Sequence, residues 1–105
     1  MNHSYDTHTG QLSLEFSGDV LSTNVKEYRR AAFEQIAALN GDLKQIQLDL
    51  AAANIVDSAG LNLLVAIVRR AESKNARVKA RISSDHVRRT FSVTRLDQHF
   101  DVEMV

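Results

Sequence analysis

The stretch Asn54-Ile55-Val56-Asp57-Ser58-Ala59-Gly60-Leu61 brings a hydroxyl, an acid and two small residues together in a spacing that suits chemistry at the serine. A strand-like pattern precedes it and a helix-like pattern follows it, so Ser58 falls in the first turn of a helix. Such a turn has free backbone N–H groups and roughly half a positive charge. A phosphate on Ser58 finds donors there, so modification need not unfold the helix. Ala59 and Gly60 leave the hydroxyl open to a large partner. A second reading is that Ser58, or Asp57 beside it, only caps the helix; on physics alone this is the commoner use of such residues.

Other chemistries fit less well. A serine nucleophile elbow needs G-x-S-x-G, and the residue two before Ser58 is Val56. None of His3, His8, His86 and His99 has a context that marks it as the base of a nucleophilic serine. No two histidines stand at i and i+4, so no metal site is expected. No Gly-x-x-x-x-Gly-Lys occurs, and Gly18-Asp19-Val20, with its single glycine, reads as a turn rather than a dinucleotide fingerprint. Arg69, Arg70, Arg77, Lys79, Arg88, Arg89 and Arg95 could form a basic patch. The six aromatics are not interleaved with them as a stacking platform requires, so no nucleic-acid partner is expected.

The elements that must position Ser58 can be read from periodicity. Leu12, Leu14 and Phe16 alternate with Ser13 and Glu15, a strand with one buried face. Tyr5 and Thr7 begin a weaker partner strand, and His8-Thr9-Gly10 makes the hairpin turn. Gly18 and Asp19 end the second strand. A helix follows from Ser22-Thr23-Asn24, with Glu27 completing a capping box on Asn24. Its apolar positions are Val25, Tyr28, Ala32, Ile36 and Leu39, and Asn40-Gly41 stops it.

Lys44 to Leu50 alternates as a third strand, and Ala51 to Val56 is a small-residue connection. The second helix spans about Ser58 to Lys74. Leu61, Leu64, Val65, Val68 and Ala71 form one apolar stripe; Leu63 and Ile67 add another. That helix is either deeply packed or offers apolar surface to a partner. Val78, Ala80 and Ile82 mark a fourth strand. Ser83-Ser84-Asp85 caps a third helix with Val87, Phe91 and Thr94 on one face, and Leu96, Phe100 and Val102 close with a short last strand. The order predicts an α/β fold: a mixed, mostly parallel sheet of four to five strands, an N-terminal β-hairpin, and helices packed on the sheet.

Composition narrows the class. A chain of 105 residues, 44% hydrophobic, supports one domain, expected over 1–105. Its net charge is zero, but residues 1–52 hold four Lys/Arg against seven Asp/Glu and residues 53–105 hold nine against six. There is no cysteine, which removes disulfides and thiol chemistry and suits a reducing cytoplasm. No signal peptide is expected from Met1-Asn2-His3-Ser4-Tyr5-Asp6, and no apolar run approaches the ~20 residues of a membrane span.

These residues carry a family resemblance. Val56-Asp57-Ser58-Ala59-Gly60-Leu61 is similar to the Asp-Ser-x-Gly-Leu phosphorylation motif of the STAS domain family, in particular its single-domain bacterial anti-sigma factor antagonists. Leu14-Glu15-Phe16-Ser17-Gly18 resembles that family's second strand and glycine turn. Ile46 to Leu50 resembles its central strand, and Val87-Arg88-Arg89-Thr90-Phe91 its third helix. The resemblance implies a cytoplasmic binding module, not an enzyme, that needs no cofactor. Its implied partners are an anti-sigma factor with serine kinase activity and a histidine-kinase-like ATPase fold, and a PP2C-type serine phosphatase; ATP and Mg²⁺ would belong to the kinase. Neither membrane nor nucleic acid is implied, and a monomer is expected when free.

By the same resemblance Ser58 is the phospho-acceptor, and its unphosphorylated form binds the anti-sigma factor and releases sigma. Asp57 and Gly60 shape its loop. Asn54, Ala59, Leu61 and Asn62 lie near the docking surface, beside Gly18 and Asp19. Two positions depart from the family pattern: Leu21 replaces a frequent aspartate, leaving Asp19 as the substitute, and Arg95 replaces a frequent glycine after the third helix. Two alternatives remain open, a STAS scaffold subunit of a lipid-transport or stress-signalling assembly and a ligand-sensing STAS domain. Leu63 and Ile67 would serve the scaffold as surface.

Overall fold

Strict alternation in the strands predicts a sheet covered on one side only, and this is what the chain builds. The computed structural model describes residues 1–39 and 41–105. The elements are β1 (Asn2–Asp6), β2 (Gln11–Glu15), α1 (Val25–Ala37), β3 (Gln45–Leu50), α2 (Ser58–Ser73), β4 (Arg77–Ile82), α3 (Asp85–Val93), a 3₁₀ turn (Leu96–Gln98) and β5 (Asp101–Met104). They form one five-stranded sheet in the order β1-β2-β3-β4-β5. β1 is antiparallel to β2; every later pairing is parallel.

The register places Leu14, Leu48 and Ala80 in one row across the sheet, with Leu12, Ile46 and Val78 in the next. All six are buried and join Tyr28, Ala32 and Ile36 of α1, Leu63, Leu64, Ile67, Val68 and Ala71 of α2, and Val87 and Phe91 of α3 in one core. Phe16 meets Tyr28 edge-to-face at 4.9 Å, and Phe91 meets Phe100 at 5.3 Å. The opposite rows are polar. Arg81 lies between Asp49 and Glu103, at 3.2 and 3.3 Å, and Lys79 reaches Glu103 at 3.0 Å. Lys79, by hydrogen bond and charge, and then Arg81 hold the Glu103 carboxyl below its ordinary range.

Several boundaries differ from the sequence reading. β1 starts at Asn2 and ends before Thr7, which lies in the turn. α1 ends at Ala37, leaving Leu39 outside it; Asn40 of the expected stop lies outside the described residues, and Gly41 has φ 78°. Asn24 makes no capping bond to α1, so the expected capping box is not formed. In α2 the stripe centres on Leu63, Leu64, Ile67 and Val68, while Leu61 and Val65 are half-buried. Leu63 and Ile67 are therefore core, not surface, because the spacing 60, 63, 64, 67, 68, 71 points at the sheet. Thr94 is the exposed residue at the end of α3 rather than part of its buried face.

Among the described residues two turns use left-handed residues other than glycine. Asn75 has φ 57° and ends α2: its N–H bonds the Glu72 carbonyl at 3.0 Å and the next N–H, from Ala76, bonds Ala71 at 2.8 Å. Arg95, with φ 60°, does the same service after α3. The departure from glycine at Arg95 thus falls on a position whose backbone favours glycine.

Candidate functional site

Parallel strands deliver their following loops to one edge of the sheet, the edge where open α/β sheets place their sites. Here the β2–α1, β3–α2 and β4–α3 loops meet at that edge. Asp19 joins the first two. Its Oδ1 accepts from the N–H groups of Asn54 at 2.7 Å and Ile55 at 3.0 Å. Val20 pairs with Val56 as a short extension of the sheet: Val20 N–H donates to the Ile55 carbonyl at 3.1 Å, and Asp57 N–H to the Val20 carbonyl at 3.2 Å. From the other side, the Ser83 hydroxyl donates to the Ala51 carbonyl at 2.6 Å and the Ser84 hydroxyl to Asn54 at 3.3 Å. The β3–α2 loop is stitched on both flanks and presents its side chains from a fixed backbone.

Asp57 starts α2. Oδ1 accepts from Gly60 N–H at 2.9 Å, the bond of an N-cap, and Oδ2 accepts from Ser22 N–H at 2.9 Å. The Gly60 bond, then the Ser22 bond, with a further bond from Ala59, hold the carboxyl below its ordinary 3.8 against a smaller opposing effect of burial. Asp57 is thus ionised near neutral pH. Because Asp57 takes the cap, Ser58 becomes the first helical residue, and its side chain is exposed. The choice between Ser58 and Asp57 as cap resolves to Asp57.

Gly60 is buried. A Cβ there would collide with the Val20 carbonyl and with Val56. Its part is to let α2 approach the β2–α1 loop, a buried packing role beneath the Ser58 turn rather than a surface contact. Gly18 is different: no heavy atom lies within 4 Å of where its Cβ would stand, and its φ is not left-handed. It leaves open space beside the site rather than relieving strain. Asn54 and Asn62 are exposed; Asp19, Ala59 and Leu61 are half-buried. The structure therefore brings the expected residues together, with Oδ1 of Asp19 engaged in holding the loop.

Ile55 escaped the sequence reading. It is 46% exposed, and both its N–H and its carbonyl are bonded to the β2–α1 loop. A rigid exposed aliphatic side chain three residues from Ser58 is the kind of anchor interfaces use. Its signal was present in the alternation: with Val56 facing inward, Ile55 had to face out.

Among the described residues no cluster of three or more His, Asp or Glu is placed to hold a metal, and no helix is long and apolar enough to cross a membrane. No match was found among the curated proteins. Solved structures share the fold. A putative anti-sigma factor antagonist from Thermotoga maritima matches with TM-score 0.86 at 17% identity, covering 99% of this chain and 86% of that one. An anti-sigma factor antagonist from Mycobacterium paratuberculosis matches with TM-score 0.80 at 19% identity, with the same two coverages of 99% and 86%. The anti-sigma factor antagonist SpoIIAA in its unphosphorylated form matches with TM-score 0.68 at 19% identity, covering 87% and 80%. In sequence, residues 3–105 match the family described as "Mlab, STAS domain". The chain belongs to the STAS domain family.

Proposed function

We propose that this protein is an anti-sigma factor antagonist that changes partners according to the phosphorylation of Ser58. The observation that carries the reading is the exposed Ser58 hydroxyl at the first position of α2, released from capping by Asp57. In this reading the unphosphorylated loop docks on an anti-sigma factor that is also a serine kinase, and sigma is set free. A PP2C-type phosphatase restores the docking form. The solved relatives named as anti-sigma factor antagonists support the role. Asn54, Ile55, Ala59, Leu61 and Asn62 would form the contact surface, flanked by Gly18.

The switch follows from charge. A phosphate adds about −1.5 to −2 charges at pH 7. Asp57 already uses the Gly60 N–H and stays ionised, so the helix N-terminus is partly neutralised before the phosphate arrives. Two anions then share one turn inside a packed interface, where like-charge contact and desolvation cost several kcal/mol. A loss of ~3 kcal/mol weakens binding about a hundredfold.

The test is an affinity isolation from the native cell with wild-type, Ser58→Ala and Ser58→Glu baits, read by mass spectrometry, with the phosphorylation state of wild-type Ser58 measured in parallel. A histidine-kinase-like ATPase retained by wild type and Ser58→Ala but lost with Ser58→Glu is the expected result. Equal retention of the same assembly by all three baits would sink the switch and leave the scaffold-subunit reading in its place.

A further inference from the structure

A second surface lies between α1 and α2 and meets the Ser58 contact surface at Asn62. An open groove of about 840 Å³ runs between the helices, with Phe33, Val65 and Ala66 along its floor and Arg29, Arg69 and Arg70 on its rims. A neighbouring hollow shares Arg29 and Phe33 and adds Lys26 and Arg30. Five cations thus surround one half-buried ring. Two are organised on it: the Arg70 guanidinium lies 4.7 Å from the Phe33 centroid and that of Arg29 5.6 Å. Among the described residues Glu27 is the one carboxylate lining either hollow, and none of the five cations has an acidic partner within 4 Å. On the open sheet face, by contrast, Lys79 and Arg81 are both paired. In a chain whose net charge is zero, this face concentrates unsatisfied positive charge.

We infer that the α1–α2 groove docks an acidic amphipathic helix of a partner protein. The apolar floor takes the partner's aliphatic stripe, and the arginine rims take its carboxylates, Arg offering planar paired donors to each. Nucleic acid fits less well, because Arg29 and Arg70 already occupy the single ring that a base would need. An anionic membrane surface fits less well too. Among the described residues the exposed large apolar side chains, Ile55, Val93, Met104 and Val105, are all elsewhere, so none of them could insert among acyl chains from this face.

The experiment is a fluorescence anisotropy titration of the full chain with a labelled peptide of about 18 residues, or five helical turns, carrying a leucine stripe flanked by glutamates. An isomer of equal composition with the stripe scrambled is the control. The expected results are saturable binding of the striped peptide, binding about tenfold weaker for the isomer, and a further loss between about 50 and 300 mM salt. Arg69→Glu with Arg70→Glu should weaken the striped peptide at least about tenfold, while Arg89→Glu, on exposed α3 surface, should leave it unchanged. Circular dichroism of each variant separates lost binding from lost folding. Equal affinity for both peptides, an equal loss with Arg89→Glu, or tighter binding of single-stranded RNA or phosphatidylglycerol vesicles than of the striped peptide would each overturn the inference.

Discussion

The starts of α1 and α2 look alike in sequence and work differently in the fold. Both follow a strand and a polar turn, and both have a residue suited to capping, Asn24 and Asp57. Asp57 caps, bonding the N–H of Gly60 at 2.9 Å. Asn24 instead turns back into the β2–α1 loop: its Oδ1 accepts from Leu21 N–H at 2.9 Å and its Nδ2 donates to the Asp19 carbonyl at 2.8 Å. That loop must hold the shape from which Asp19 and Ser22 reach across to the β3–α2 loop. The better-formed helix start carries the serine; the poorer one gives up its cap to support it. The difference teaches that a capping residue goes wherever the tertiary structure has the greater need of a donor or acceptor.

The most severe way to break this arrangement is at the contact between the two starts. Gly60→Ala places a Cβ against the Val20 carbonyl, a backbone atom that cannot rotate away. A destabilisation of about 1–3 kcal/mol is expected, the usual range for overpacking, visible as a lower urea midpoint at unchanged slope. Gly18→Ala, with open space around it, serves as the control and should shift the midpoint little.

A finer probe sets the two capping candidates against each other by pH. The Asp57 carboxyl titrates below its ordinary 3.8 because the folded state bonds its ionised form. A depressed folded value means that its contribution is full above the unfolded value and disappears as pH falls through the folded one. Between about pH 5 and pH 2, wild type should therefore lose stability more steeply than Asp57→Asn, which retains a good capping side chain but cannot titrate. Asn24→Ala should lower stability without altering that slope. Parallel pH profiles for wild type and Asp57→Asn would show that Asp57 gains nothing from its charge.

What the sequence revealed of this edge, and what it hid, follows from the range of the interactions. The strands were legible because one face is solvated: Leu12 and Leu14, Ile46 to Leu50, and Val78 to Ile82 had to alternate. The start of α2 was legible because Asp57, Ser58 and Gly60 act within one turn. The duties of Asp19 and Asn24 were not: Asp19 bonds a loop some 35 residues away, and Asn24 gives its side chain to Leu21 and Asp19 within its own loop, holding the shape that the long-range bond needs. Nor was the left-handed bend at Arg95, where no local signal from an arginine announces a positive φ. The outward pose of Ile55 lay between these cases, implied by Val56 but given meaning only by its nearness to Ser58.

The smallest expected change is the most informative about the serine. If Ser58 contributed to the helix start, Ser58→Ala would cost what caps cost, about 0.5–2 kcal/mol. With Asp57 holding the Gly60 N–H and Ser58 exposed as the first helical residue, the substitution removes a solvated hydroxyl from a position where alanine is at least as good a helix former. Its effect on the urea midpoint should fall within about ±0.5 kcal/mol, the range of ordinary surface substitutions. A residue so placed, and structurally so dispensable, is free to be modified without disturbing the scaffold that presents it. A Ser58→Ala chain that unfolds as early as a capless one would return the hydroxyl to the structure and remove the basis for reading it as a switch.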